Sequence, residues 1–284
     1  MSIKNQAISI GAKLSKIAKM KGVSYQIIST SFLIERLLVR ILRDKSLVNN
    51  LVFKGGYVGL RVYNSERYTV DLDALLLNAD VKTTLEKTTK AIQSDIGDGT
   101  WFELETQIDL KTQGVYGGVR QLYRGGIGER PIDIRKSQII HFDLGIGDPI
   151  TPSPVLIQTA ELIGGDEISW YIYPMETITA EKLETLIVRG GDNSRAKDVF
   201  DLYFYLPMAD HEQLKIAIIK CFEFRKTEFP KDPVKFLNDI DTSLLKKGWM
   251  SAVASLKGAP NFETAFKFIL IELEKIYPRE RDRR

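Results

Sequence analysis

The segment Thr69-Val70-Asp71-Leu72-Asp73-Ala74-Leu75-Leu76-Leu77 constrains this 284-residue chain more than any other. Its β-branched and apolar content is that of a buried strand, yet it carries two carboxylates two residues apart. On a strand such residues point to the same face, so both acids address one region of space. Like charges this close repel, and keeping both ionised calls for a compensating cation. Mg²⁺ prefers oxygen ligands and completes its shell with substrate phosphates, which suits the pair. The competing reading is a strand with one solvated face, on which paired aspartates are harmless. Aspartate fits strands poorly and the following leucines mark deep burial, so the metal reading is preferred.

Two other segments bear on this pair. A short apolar run from Leu51 enters Lys54-Gly55-Gly56, and residues 57–63 can continue from it as a helix. Asp143 lies in Ile139-Ile140-His141-Phe142-Asp143-Leu144-Gly145-Ile146, where an isolated buried charge is costly without a partner. It is the candidate third metal ligand beside Asp71 and Asp73, with an edge-strand or turn residue as the alternative. His141 shares its strand face and is read as a satisfied structural histidine in preference to a base.

The rest of the chain sets limits. Composition is ordinary for a globular protein, at 44% hydrophobic and 27% charged residues. The lone Cys221 cannot form an intramolecular disulfide and sits in an apolar run, so it reads as a core residue in a reducing cytoplasm, not as a nucleophile. Residues 1–20 carry lysines through an amphipathic pattern and lack an unbroken apolar stretch, which argues against a membrane partner. A net charge of +3 does not by itself announce a nucleic acid. Arg36, Arg40, Arg43, Arg120, Arg124 and Arg130 are available to one if they converge.

Helical spacing predicts two helices over 5–45 broken near Gly22, and another over 82–98. Strands are expected at 101–111, 115–123, 131–135 and 138–146 in a meandering sheet. Arg124-Gly125-Gly126-Ile127-Gly128 lacks the strand-to-helix setting of a phosphate loop and is read as a hairpin turn. After Trp170 the chain turns helical. Thr177 or Thr179 can cap a helix to Val188 that Gly190-Gly191 ends, and Asp192 or Asn193 can cap the next, to Leu206. Further helices fit 211–226, 232–256 and 261–276, and the tail Arg279–Arg284 reads as a solvated end. The domains expected are a helical segment 1–48, a sheet core 49–165 and a helical carboxy-terminal domain 166–284.

Glu181-Lys182-Leu183-Glu184 and Arg195-Ala196-Lys197-Asp198-Val199-Phe200-Asp201-Leu202 set charges among apolar helix faces. Lys182 can meet a triphosphate as a point charge, and Arg195 can do so in bidentate fashion. Asp198 lies one turn beyond Arg195, and Lys197 with Asp201 at i, i+4 is equally what a solvated face shows. Residue chemistry alone does not choose among them.

Taken in order, Phe53-Lys54-Gly55-Gly56, Arg61, Arg67, Asp71-Leu72-Asp73, Ala180-Glu181-Lys182-Leu183 and Arg195-Ala196-Lys197-Asp198 with Asp201-Leu202 resemble the AbiEii/AbiGii toxin family of nucleotidyltransferases, a branch of the DNA polymerase beta-like superfamily. The resemblance implies an α/β fold: a mixed nucleotidyltransferase sheet with flanking helices and a mostly helical carboxy-terminal domain. It implies Asp71, Asp73, Lys182 and Asp198 as catalytic residues, with Asp71 and Asp73 as ligands of Mg²⁺ or Mn²⁺. Lys54, Gly55, Gly56, Arg67, Lys182 and Arg195 become nucleotide-binding residues. Gly56 stands where the wider superfamily has serine, and Tyr68-Thr69 where members often have a Ser/Thr pair. The implied activity is transfer of a nucleotide from a nucleoside triphosphate to RNA, at the tRNA 3′ end, by a toxin that a cognate antitoxin restrains in a toxin–antitoxin or phage-defence system. A small-molecule nucleotidyltransferase and a non-catalytic interaction module are the alternatives.

Overall fold

The computed structural model describes residues 2–110 and 117–278. They form two compact units, residues 2–147 with Val155–Ile172, and Asp148–Pro154 with residues 173–278. The expected boundary at 165/166 falls inside a hairpin of the first unit.

Helix α1 (Ile3–Lys21) starts where the Ser2 hydroxyl accepts from the Asn5 amide and stops at Gly22, which takes the left-handed φ of 64° that closes a helix. Its apolar stripe, Ile10, Leu14 and Ala18, packs on Ile28 and Phe32 of α2 (Tyr25–Leu42). A short α3 (Lys45–Val48) leads into β1 (Leu51–Lys54). There follow α4 (Gly55–Arg61), β2 (Asp71–Leu76), α5 (Val81–Gln93), β3 (Thr100–Leu110), β4 (Gly118–Ile127), β5 (Gln138–Ile146), β6 (Val155–Ala160) and β7 (Glu167–Ile172).

The seven strands form one mixed sheet in the order β3-β4-β5-β2-β1-β7-β6, with β2 parallel to β5 and β1 parallel to β7. Burial alternates along β4 and β5, placing Val119, Gln121, Tyr123, Ile140, Phe142 and Leu144 on a covered face. Gln121 is fully buried there and is satisfied by Thr89 of α5 and by Gln107 and Tyr123. Arg120, His141, Asp143, Asp71 and Asp73 belong to the opposite parity.

Two sheet expectations are corrected. The glycine run 124–128 is no hairpin turn: Gly125 and Gly126 lie within β4, opposite Phe102 and Trp101. A Cβ on Gly125 would meet the Phe102 ring at 2.7 Å, so the glycines make room for aromatic rings laid across the strand. Residues 131–135 are not a strand but lead into a 3₁₀ turn at Ile134–Lys136, which Asp133 opens by accepting from the Arg135 amide. The β6–β7 hairpin adds two strands in a stretch to which the sequence patterns assigned no element. Residue 111, residues 115 and 116, and the tail Arg279–Arg284 lie outside the described residues.

The second unit is helical: α6 (Met175–Arg189), α7 (Ala196–Tyr205), α8 (His211–Arg225), α9 (Pro233–Asp239), α10 (Ser243–Ala252) and α11 (Phe262–Ile276). The stretch 232–256 is thus two helices, parted at Ile240. Gly190 ends α6 as expected, but Pro174 precedes its first turn and Thr177 is internal, its buried hydroxyl exchanging hydrogen bonds with the Thr151 backbone. Leu183, Leu186, Val199, Leu202, Leu214, Ile218, Leu245 and Ile269 share one core. Cys221 is buried in it, and burial pushes its thiol up to about 12, which leaves it unreactive.

Candidate active site

The sheet brings four charged residues into one row across four neighbouring strands. Arg120 of β4 is the register partner of Asp143 on β5, Asp143 of Asp73 on β2, and Asp73 of Lys54 on β1. Directly paired residues share a face, so two carboxylates stand side by side between two cations. In the next row Asp71 pairs with His141, whose Nδ1 lies 2.7 Å from Asp71 Oδ1. The histidine is therefore a satisfied partner of the first acid. Asp143, the expected third ligand, is on the right face, but both its oxygens accept hydrogen bonds from Arg120: Nε to Oδ1 at 2.7 Å and Nη2 to Oδ2 at 2.6 Å.

The glycine turn touches this row. Gly55 has φ 74°, and a Cβ there would fall on the carboxylate of Asp73, so only glycine lets the backbone pass this close to the acid. At Gly56 a Cβ would stand 3.2 Å from Arg67 Nη2 and from Thr69 Cβ, which places the buried Arg67 against the same turn. The Thr69 hydroxyl accepts from the Asp71 amide at 3.1 Å and fixes the strand entry. Arg61 bridges buried Glu35 of α2 at 2.8 Å and donates to the Ala160 carbonyl, anchoring α4. Burial raises the Glu35 carboxyl, and the Arg61 charge counters it.

The second unit holds a separate cluster. Lys182 of α6 reaches Asp198 at 2.5 Å and Asp201 at 3.1 Å, both on α7, and Arg195 reaches the other oxygen of Asp198 at 2.5 Å. Asp198 is fully buried. Burial alone would raise its carboxyl, but the charges of Lys182 and Arg195 and their hydrogen bonds hold it well below the usual carboxylate range. Lys197 is exposed and Asp201 buried against Lys182, so the solvated i, i+4 pair does not form.

Sequence reasoning missed several supports. Asn193, expected only as a helix cap, is fully buried and accepts from the Arg195 amide at 2.9 Å. Arg225 of α8 lies 2.6 Å from Glu184, 3.3 Å from Asp148 and 3.9 Å from Glu181, tying α6 to α8. An arginine among apolar helix positions was the available signal. The Arg120–Asp143 pair was legible only once the strand register was known.

The arginine set offered to a nucleic acid does not form a common free surface. Arg36 and Arg40 are buried and paired with Asp98, Arg36 also with Glu161. Arg124 binds Glu105, and Arg130 binds Glu103. These four cations are each drawn to a carboxylate, while Arg43 is exposed at the end of α2 and Arg120 lies at the acidic row.

Comparison with known proteins now bears on these two sets. The model of the nucleotidyl transferase AbiEii toxin family, type IV toxin–antitoxin system, matches residues 36–268. The chain belongs to this family. It is a nucleotidyltransferase toxin, with a nucleoside triphosphate as substrate and an antitoxin as partner. The expected α/β fold class holds: a mixed sheet with flanking helices. Among solved structures, JHP933 from Helicobacter pylori is similar at 18% identity, over 89% of this chain and 93% of that one, with a TM-score of 0.48. A second H. pylori protein, a proposed nucleotidyltransferase, is similar at 18% identity, over 90% and 96%, with a TM-score of 0.49. No curated protein matches the sequence. Among the described residues no helix is long and apolar enough to cross a membrane.

Proposed function

We propose that this AbiEii toxin uses a divalent metal ion, Mg²⁺ or Mn²⁺, held by Asp71 and Asp73, to transfer a nucleotide to the 3′ end of tRNA in a cytoplasmic toxin–antitoxin or phage-defence system. The observation that carries the reading is the carboxylate pair on one strand face, with a glycine turn passing so close to Asp73 that no side chain fits between. The donor set suits such an ion: carboxylate oxygens on one face and no soft ligand. Among the described residues no group of three His, Cys, Asp or Glu is gathered to cage a metal by itself, which leaves coordination positions for substrate oxygens and water.

When bound, the ion supplies Lewis-acid polarisation of the reacting phosphate. The chain's own residues bind and orient. Gly55 and Gly56 let backbone approach the phosphates, with Lys54 and Arg67 at the same turn. Lys182 and Arg195 offset triphosphate charge, and Asp198 holds both cations in place.

Helix α1 supports an RNA acceptor. It carries Lys4, Lys13, Lys16, Lys19 and Lys21 and no acidic residue, which leaves the rest of the chain at a slight negative excess. Its apolar stripe is already buried, and its exposed side presents these lysines together with Ile3, Ile8 and Met20, a basic surface that a phosphate backbone can meet. Lys13, Lys16 and Lys19 lie one turn apart on that side.

Incubating the purified protein with each labelled triphosphate and total RNA tests the proposal. Label on tRNA that requires Mg²⁺ or Mn²⁺ is expected, with RNA affinity falling steeply with salt. Label on a small hydroxyl compound and none on RNA would move the activity to a small-molecule acceptor. No labelled product from any triphosphate would defeat both.

A further inference from the structure

We propose that Arg120 is a substrate-binding residue of the carboxylate face, a contact for a phosphate of the nucleoside triphosphate, and that Asp143 is the positioning residue that aims it instead of a third metal ligand. The assignment rests on the reading that the nucleotide is bound at this face.

The geometry is that of an oriented arginine. Nε and Nη2 form one edge of the guanidinium, and that edge is held by both oxygens of Asp143 at 2.7 and 2.6 Å. Nη2 also lies 4.0 Å from Asp71 Oδ1. The remaining nitrogen, Nη1, makes no hydrogen bond among the described residues, and the side chain is one-third exposed. A planar fork clamped on one edge and open on the other is preorganised for an oxyanion, because the rotamer entropy of a long side chain has already been given up.

Arg124, four residues along the same strand and on the same side, is the internal control. It makes the same two-pronged contact, with Glu105, but its Nη1 donates to the carbonyls of Arg135 and Ser137. Arg124 has spent all three nitrogens on the fold. Arg120 has not, and it is the one beside Asp71 and Asp73.

Asp143 follows from the same contacts. With each oxygen accepting from Arg120, the Asp143 charge is already paired within the protein, which weakens its pull on a metal ion. Asp71 and Asp73 remain as the donors, and the open arginine edge supplies the charge complement that a triphosphate needs beside them.

The test uses the full chain and measures two bindings separately: Mn²⁺ alone, by electron paramagnetic resonance, and inorganic tripolyphosphate in the presence of Mn²⁺, by calorimetry. Arg120→Gln is expected to weaken tripolyphosphate binding at least tenfold and to leave Mn²⁺ affinity within twofold. Arg120→Lys, which keeps a cation for Asp143 but loses the fork, should recover only part of the loss. Asp143→Asn should weaken tripolyphosphate binding several-fold and leave Mn²⁺ binding intact. A tenfold loss of Mn²⁺ affinity in Asp143→Asn would make Asp143 a metal ligand and overturn the assignment. Unchanged tripolyphosphate binding in both Arg120 variants would reduce Arg120 to a structural cation. If the wild-type chain binds both probes and Asp71→Ala/Asp73→Ala does not, the metal-site reading stands whatever Arg120 does. If the wild type binds neither, that reading and this one fall together.

Discussion

The two charged clusters of this molecule solve opposite problems. On the sheet, Asp71 and Asp73 are partly exposed, share their face with a third carboxylate, and are offset by cations from neighbouring strands. In the helical unit, Asp198 is wholly buried and is compensated twice, by Lys182 and Arg195. The first arrangement leaves its carboxylates partly open to solvent. The second must pair its own, since an unpaired carboxylate at that depth would neutralise or unfold its surroundings. Under the proposed function the first set is the metal-binding face, and in the second Asp198 anchors the two cations proposed to meet the triphosphate.

Breaking that contrast should produce its largest effect at the strand pair. Asp71→Ala/Asp73→Ala should lower nucleotide transfer on the order of 10³-fold. The thermal midpoint should move much less than activity, because the Asp71 contacts are partly solvated. A double variant that loses stability and activity together would make the pair structural.

The anchor should behave the other way. Asp198→Ala leaves two cations without their shared partner and should cost about 3–5 kcal/mol in denaturant unfolding. The sign with pH is fixed by the low carboxyl of Asp198. Its stabilising contribution is complete above the unfolded value of about 3.9 and is lost as pH falls through the lower folded value. Acid unfolding of the wild type should therefore steepen below about pH 4, and Asp198→Asn should lack that component.

Gly55→Ala sharpens the comparison at intermediate size. It forces a side chain into a left-handed position and against Asp73, at a cost of roughly 1–3 kcal/mol, and transfer should fall more than stability because the displaced group is the proposed metal ligand. The smallest effect is expected at Arg130, whose pair with Glu103 is exposed on both sides. Arg130→Gln should change stability by less than about 1 kcal/mol and leave RNA affinity alone.

Much of this was legible in the order of residues. The helix break at Gly22, the helix that follows Gly55-Gly56, the strand over Asp71–Leu76 and the strand over Gln138–Ile146 all follow from local rules of capping, periodicity and turn chemistry. Gly125-Gly126 misled because glycine pairs in a turn and glycines opposite an aromatic ring look alike until the partner strand is known. Arg36 and Arg40 misled because a helix with arginines among leucines shows no sign of Asp98, more than fifty residues away.

From sequence alone come the family and the residues proposed for its site: paired acids two apart on a buried strand, a glycine pair before them, and the lysine and acid motifs beyond. These are properties of spacing, and backbone periodicity converts spacing directly into a shared face. Which cation meets which carboxylate was settled only in three dimensions. Register across four strands set Arg120 on Asp143 and Lys54 beside Asp73, and the packing of α6 on α7 closed Lys182 onto Asp198 and Asp201. Ion pairs are long-range choices decided by burial, and burial is a property of the folded chain as a whole.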